Sequence, residues 1–116
     1  MLIVDDNKSI TTAIEKYLKT QGHDVSVCNE GQKGLELIQN YNWDKILLDL
    51  SMPEFGGLEI IENLENEQIL KNKRIIVFTA ASIPEYVVDK LLAKEGIMGL
   101  LRKPLSLVHL ADAISA

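Results

Sequence analysis

Cysteine is nearly absent: Cys28 is the single one in 116 residues. One thiol cannot close an internal disulfide, and a four-thiolate zinc site is excluded with it. Cys28 therefore reads as a buried strand residue, and a reducing, cytoplasmic setting is expected. Basic residues are in deficit, twelve against seventeen acidic, for a net charge of -5. A nonspecific grip on nucleic acid or anionic lipid needs a basic surface, so direct nucleic-acid and membrane binding are not expected. No apolar run approaches the roughly 20 residues of a membrane span. The opening MLIVDD turns acidic at once and does not resemble a signal peptide. No repeat or low-complexity linker interrupts the chain.

What is present is a globular balance, 47% hydrophobic and 25% charged. One domain over residues 1–116 is expected from the length. Short β-rich runs alternate with helical patterns. The runs are Leu2 to Asp5, Asp24 to Cys28, Lys45 to Asp49, Arg74 to Thr79 and Ile97 to Arg102. Between them, Lys8 to about Gln21 carries Ile10, Ile14, Tyr17 and Leu18 on one helical face. Asp6 or Asn7 can cap it, and Gly22 suits its end. A second helix spans Gln32 to about Asn40. A loop from Leu50 to Gly57 follows the third strand, broken by Pro53 and Gly56-Gly57. A third helix, Leu58 to Glu67, has Leu58, Ile61 and Leu64 as its inner stripe. Pro84 opens a fourth, with Val87, Val88, Leu91 and Leu92. Ser106 caps a fifth, with Leu107, Leu110, Ala113 and Ile114.

Alternating β and α elements imply a doubly wound parallel sheet with helices on both faces. Ligand sites in such sheets form at the carboxyl ends of the strands. Those ends carry Asp5-Asp6, Cys28-Asn29, Asp49, Thr79 and Lys103. Crowded carboxylates repel and call for a cation. Mg²⁺ suits an open oxygen site that keeps waters for a phosphate to displace, and Mn²⁺ is the alternative. Thr79 can donate to a phosphoryl oxygen and Lys103 can pair with its charge. A carboxylate beside the metal can be the nucleophile that forms an acyl phosphate. His23 and His109 lack ligand spacing. Trp43 is expected to anchor the rim, and Lys71, Lys73 and Arg74 to form a solvated loop.

The sequence resembles the receiver domain of two-component response regulators along essentially its whole length. The matching pieces are Ile3-Val4-Asp5-Asp6-Asn7, Leu47-Leu48-Asp49-Leu50-Ser51-Met52-Pro53, Gly56-Gly57, Thr79-Ala80-Ala81 and Lys103-Pro104. The resemblance implies a flavodoxin-like fold of five parallel strands in the order 2-1-3-4-5. It implies that Asp49 accepts a phosphoryl group from a histidine kinase or phosphotransfer protein. Asp5 and Asp6 match the Mg²⁺-holding acids, and Ser51 the position whose backbone carbonyl completes the metal shell. Thr79, with Ala80 beside it, matches the switch hydroxyl, and Lys103 the phosphate-contacting lysine. Lys103-Pro104 is a cis-peptide candidate. The output surface is expected on the fourth helix, fifth strand and fifth helix, facing a partner, an output domain or a second copy.

Three positions depart from the family pattern. Leu100 stands where Tyr or Phe is usual, and by strand parity shares a face with Met98 and Arg102. Ser51 and Ala81 are small at positions that shape water access to the phosphoryl group. Two other functions compete with this one. An aspartyl phosphohydrolase usually carries its nucleophile on the first strand, with a second acid two residues on, whereas the acids here are adjacent. A flavodoxin-like FMN carrier needs a hydroxyl- and glycine-rich loop where this chain has Asp5-Asp6-Asn7, which would repel a phosphate lacking a metal.

Overall fold

Strands buried on both faces read as unbroken apolar runs, and three of the five here do so. The computed structural model describes residues 1–80, 83–103 and 106–115. Its elements are β1 (Leu2–Val4), α1 (Lys8–Thr20), β2 (Ser26–Cys28), α2 (Gly31–Asn40) and β3 (Ile46–Asp49). They continue with α3 (Gly57–Asn66), β4 (Ile75–Thr79), α4 (Glu85–Leu92), β5 (Ile97–Arg102) and α5 (Leu107–Ser115). The sheet is parallel throughout, in the order β2-β1-β3-β4-β5. Every residue of β1, β3 and β4 is buried, whereas edge strand β2 is exposed at Ser26.

Alternation along the strands feeds two cores. Leu2, Val4, Ile46, Leu48, Ile75 and Val77 pack with Leu35, Ile38, Ile60, Ile61, Leu64 and Leu91, which places α2, α3 and α4 on one face. Ile3, Leu47, Ile76 and Phe78 pack with Ile14, Leu18, Leu110 and Ile114, which places α1 and α5 on the other. Fully burying one such Leu or Ile contributes about 1.5–3 kcal/mol, so these stripes dominate what holds the helices in place. Asn7 caps α1, its side chain accepting from the Ile10 N–H at 3.1 Å. Gly22 turns the chain after α1 at φ +86°, a conformation open to glycine without a Cβ penalty. Ser106 accepts the His109 N–H at 3.3 Å, as its capping role predicts.

The structure corrects several details. Leu58 is exposed, because the buried stripe of α3 is Gly57, Ile60, Ile61 and Leu64, an i, i+3, i+4, i+7 pattern that leaves Leu58 on the flank. Leu92 also faces outward. A short 3-10 turn at Leu70–Asn72 carries no periodic signal, and it buries Leu70. Lys73 is not free in solvent, since its ammonium donates to the Ile38 carbonyl at 2.8 Å. Trp43 needs no such correction: it is partly buried against the core, as a rim anchor would be, with its indole N–H on the Leu37 carbonyl. In β5 a register shift pairs Ile97 with Ile75 and Gly99 with Ile76, passing over Met98. Simple alternation therefore fails there. Leu100 packs into the same core as Ile97, while Met98 is exposed.

Candidate functional site

The parallel sheet brings the carboxyl ends of all its strands to one edge, and each expected residue described there arrives at it. Asp5 follows β1, fully buried, and Asp49 ends β3, 2% exposed. One carboxylate oxygen from each of Asp5, Asp6 and Asp49 lies within 4.8 Å of the others. Asp6 is the solvent-facing member. Lys103, just past β5, reaches back across the edge. Its ammonium lies 3.1 Å from Asp5 Oδ2 and 3.5 Å from Asp49 Oδ2. The same ammonium sits 4.8 Å from the centre of the Phe78 ring. Its backbone N–H is fixed by the Thr79 carbonyl at 2.9 Å.

Backbone donors hold the other carboxylate oxygens. The Asn7 N–H donates to Asp5 Oδ1 at 3.0 Å, and the Ser51 N–H to Asp49 Oδ1 at 3.1 Å. Burial pushes the Asp5 carboxyl above its ordinary range, and the adjacent Asp49 pushes the same way. The Asn7 N–H and Lys103 oppose them. Thr79 ends β4 almost fully buried, and its hydroxyl lies 3.1 Å from the Ser51 hydroxyl. Ala80 is exposed beside it. The Lys103-Pro104 peptide and Ala81 lie outside the described residues.

The loop after β3 can close over this edge because two glycines follow it. A Cβ on Gly57 would lie 2.4 Å from the Asp49 carbonyl oxygen, and one on Gly56 2.8 Å from that of Leu50. Glu59 ties the junction by accepting the Gly56 N–H at 3.1 Å.

Two contributors escaped the sequence reading. Phe78 lies inside an apolar run, and nothing local marks its ring as the floor under an ammonium. Asn29 was visible only as a strand-end residue. Its side-chain amide donates to the Asp5 carbonyl at 2.7 Å and to the Thr11 hydroxyl at 3.1 Å. The donor set fits a hard divalent cation: clustered carboxylate oxygens, one open to solvent, with a single ammonium between the two buried acids.

Comparison with known proteins agrees with this geometry. The family model for the response regulator receiver domain matches residues 1–115. The nitrate/nitrite response regulator NarL of Escherichia coli is 34% identical over 117 residues, 98% of this chain and 52% of that protein. The CAI-1 autoinducer sensor kinase/phosphatase CqsS of Vibrio cholerae is 34% identical over 119 residues, all of this chain and 17% of that protein. The chain thus spans about half the length of the first and a sixth of the second. Among solved structures, the Francisella response regulator 1452 receiver domain superposes with a TM-score of 0.84 at 29% identity. That match covers 98% of this chain and 91% of the other. Chemotaxis protein CheY4 of Vibrio cholerae gives 0.81 at 26% identity, covering 98% and 93%. With the strand order, the acidic edge and the matched length in agreement, this chain belongs to the response regulator receiver domain family.

Proposed function

We propose that Asp49 accepts a phosphoryl group at a Mg²⁺ site formed by Asp5, Asp6, Asp49 and the Ser51 backbone carbonyl, and that Thr79 and Lys103 read its arrival. Receiver domains of two-component systems are phosphorylated on an aspartate and control an output by changing conformation. The observation that carries the assignment is Lys103 bridging Asp5 and Asp49 at an edge where the Thr79 hydroxyl also ends. With Oδ1 held by the Ser51 N–H, the Asp49 oxygen beside Lys103 is the one presented for attack. It forms a P–O bond as the P–N bond to a donor histidine breaks, and the electron pair leaves with the imidazole nitrogen. Mg²⁺, when bound, supplies the positive charge that phosphoryl oxygens need. Lys103 shifts its pairing from the carboxylates to the phosphoryl group. Thr79 turns its hydroxyl from Ser51 toward a phosphoryl oxygen, with Ala80 moving beside it.

The donor class is a sensor histidine kinase or phosphotransfer protein, or a small acyl phosphate in vitro. A cytoplasmic setting accords with that donor. The surface that transmits the change is α4–β5–α5. Tyr86, Met98 and Val108 expose 65%, 40% and 62% of their surface there, one on each element. Arg102 on β5 reaches Glu85 on α4 at 3.9 Å. An output domain, a separate partner or a second copy would meet this face.

Intact mass after incubation with acetyl phosphate and Mg²⁺ tests the assignment. The parent should gain one phosphoryl mass and Asp49→Asn none. Full labelling of Asp49→Asn would overturn it.

A further inference from the structure

We propose that Asn29 is a positioning residue of the cation site: its amide sets the peptide between Asp5 and Asp6, and so fixes where the acidic pair points. The inference rests on the reading that Asp5 and Asp6 hold a divalent cation. Both N–H groups of the Asn29 amide are used, one on the Asp5 carbonyl at 2.7 Å and one on the Thr11 hydroxyl at 3.1 Å. The Thr11 hydroxyl spends its own proton on the Lys8 carbonyl at 3.2 Å, so it accepts from Asn29. Only the amide nitrogen can satisfy both partners, which fixes the orientation of the side chain.

The backbone completes the clamp. The Asp5 N–H donates to the Cys28 carbonyl at 3.1 Å. Both peptide groups flanking the Asp5 Cα are therefore held from the end of β2, one by the backbone of Cys28 and one by the side chain of Asn29. With both peptide planes held, Asp5 keeps its backbone dihedrals and its Cβ direction. The Asp5 carboxylate has further support from Asn7 and Lys103. Asp6 is exposed, and its placement depends on the backbone. Loss of the clamp falls mainly on Asp6, the residue with least support of its own. Thr11 extends the tie to the first turns of α1, so β2, the acidic loop and that helix meet at one side chain. Partners that orient a metal ligand typically contribute about 10–100-fold in affinity.

The test measures Mg²⁺ binding by titration calorimetry in the parent, Asn29→Ala and Asn29→Asp, with labelling by acetyl phosphate followed against Mg²⁺ concentration. Asn29→Ala should weaken Mg²⁺ binding about 10-fold, at the low end for a group that acts through a ligand's backbone. The Mg²⁺ needed for half-maximal labelling should rise by the same factor, and the rate at saturating Mg²⁺ should stay within about two-fold of the parent. A merely structural role would lower stability in EDTA and leave the Mg²⁺ requirement alone. Asn29→Asp keeps the shape but has no N–H to give. A site governed by net charge would bind Mg²⁺ more tightly in that variant, and a site governed by the clamp binds it more weakly. Parent-like affinity in Asn29→Ala, or tighter binding in Asn29→Asp, overturns the proposal. A parent that binds no Mg²⁺ removes the cation reading itself, and the proposal with it.

Discussion

Replacing Lys103 with methionine should destabilise the metal-free protein by about 2–3 kcal/mol near neutral pH, and the loss should shrink on acidification. At an effective dielectric of about 20, the ammonium gains about 5 kcal/mol from each carboxylate, at 3.1 and 3.5 Å. Carboxylate oxygens within 4.8 Å repel by about 3.5 kcal/mol or more on the same scale. Taking three charges out of water offsets most of the net attraction. Stripping one partner from a fully buried pair costs about 3–5 kcal/mol. The edge is open at Asp6, which lowers the expected loss. The sign with pH follows from Asp5, whose carboxyl is raised chiefly by burial from an ordinary value of 3.8. A raised acid favours the fold while protonated, and that stability is lost as pH climbs through the folded value. Lys103 is one of two groups holding Asp5 down, so its removal lifts the carboxyl further and enlarges the penalty at neutral pH. Below the ordinary value both proteins carry Asp5 neutral, and most of the gap closes. Urea unfolding followed by Trp43 fluorescence in EDTA, at about pH 7.5 and about pH 3.5, measures both halves. A ten-fold excess of Mg²⁺ over its dissociation constant should add about 1.4 kcal/mol to the parent. It should add more to the variant, where the cation replaces a missing one. An equal gap at both pH values, or a variant more stable than the parent in EDTA, would refute the reasoning.

Gly57→Ala should cost about 2–3 kcal/mol and reduce labelling, because the new methyl meets the Asp49 carbonyl at 2.4 Å and the Leu50 Cα at 2.9 Å. Both obstacles are backbone and cannot swing aside; urea melts and intact mass check the two effects, and parent-like values would contradict the packing argument. Leu100→Ala should cost about 1–2 kcal/mol, a half-buried leucine's share, yet keep phosphorylation largely intact. Thr79→Ala should still bind Mg²⁺ but lose the amide-exchange response of Glu85–Leu92 to beryllofluoride. The opposite pattern, with α4 silent in Leu100→Ala and responsive in Thr79→Ala, would show that the hydroxyl does not carry the signal.

The sequence shows some layers of this molecule and hides others, for physical reasons. Ile46-Leu47-Leu48 announces a strand because burial on both faces leaves no place for a polar residue. Asp5, Asp49 and Thr79 stand out because each breaks an apolar run at its carboxyl end, and Lys103 because it follows the last such run, just past Arg102. Strand order is not written in such runs, and here it followed from the family resemblance. Contacts that cross elements are hidden more deeply. The Asn29 clamp joins β2 to the loop after β1 through a backbone carbonyl, which no side-chain pattern records. Phe78 under Lys103 depends on a register between β4 and the end of β5 that the sequence does not state.

Leu100 shows how one hidden feature changes a functional argument. Parity along β5 put it on a face with Met98 and Arg102, and one extra residue in the strand separates Met98 from that set. Leu100 pairs with Val77 of β4 and, like Val87 of α4, packs against the core on that face of the sheet. A leucine wedged there has no ring to turn inward and no hydroxyl to offer a partner. If Asp49 accepts the phosphoryl group as proposed, the links from it toward α4 are Thr79 and Lys103, the latter beside Arg102, which reaches Glu85. The Thr79 hydroxyl lies against that of Ser51, in the loop that follows Asp49. On the proposed role of Asp49, a phosphoryl oxygen competes with Ser51 for Thr79, so the small residue two places after Asp49 would help to set how readily the switch is thrown.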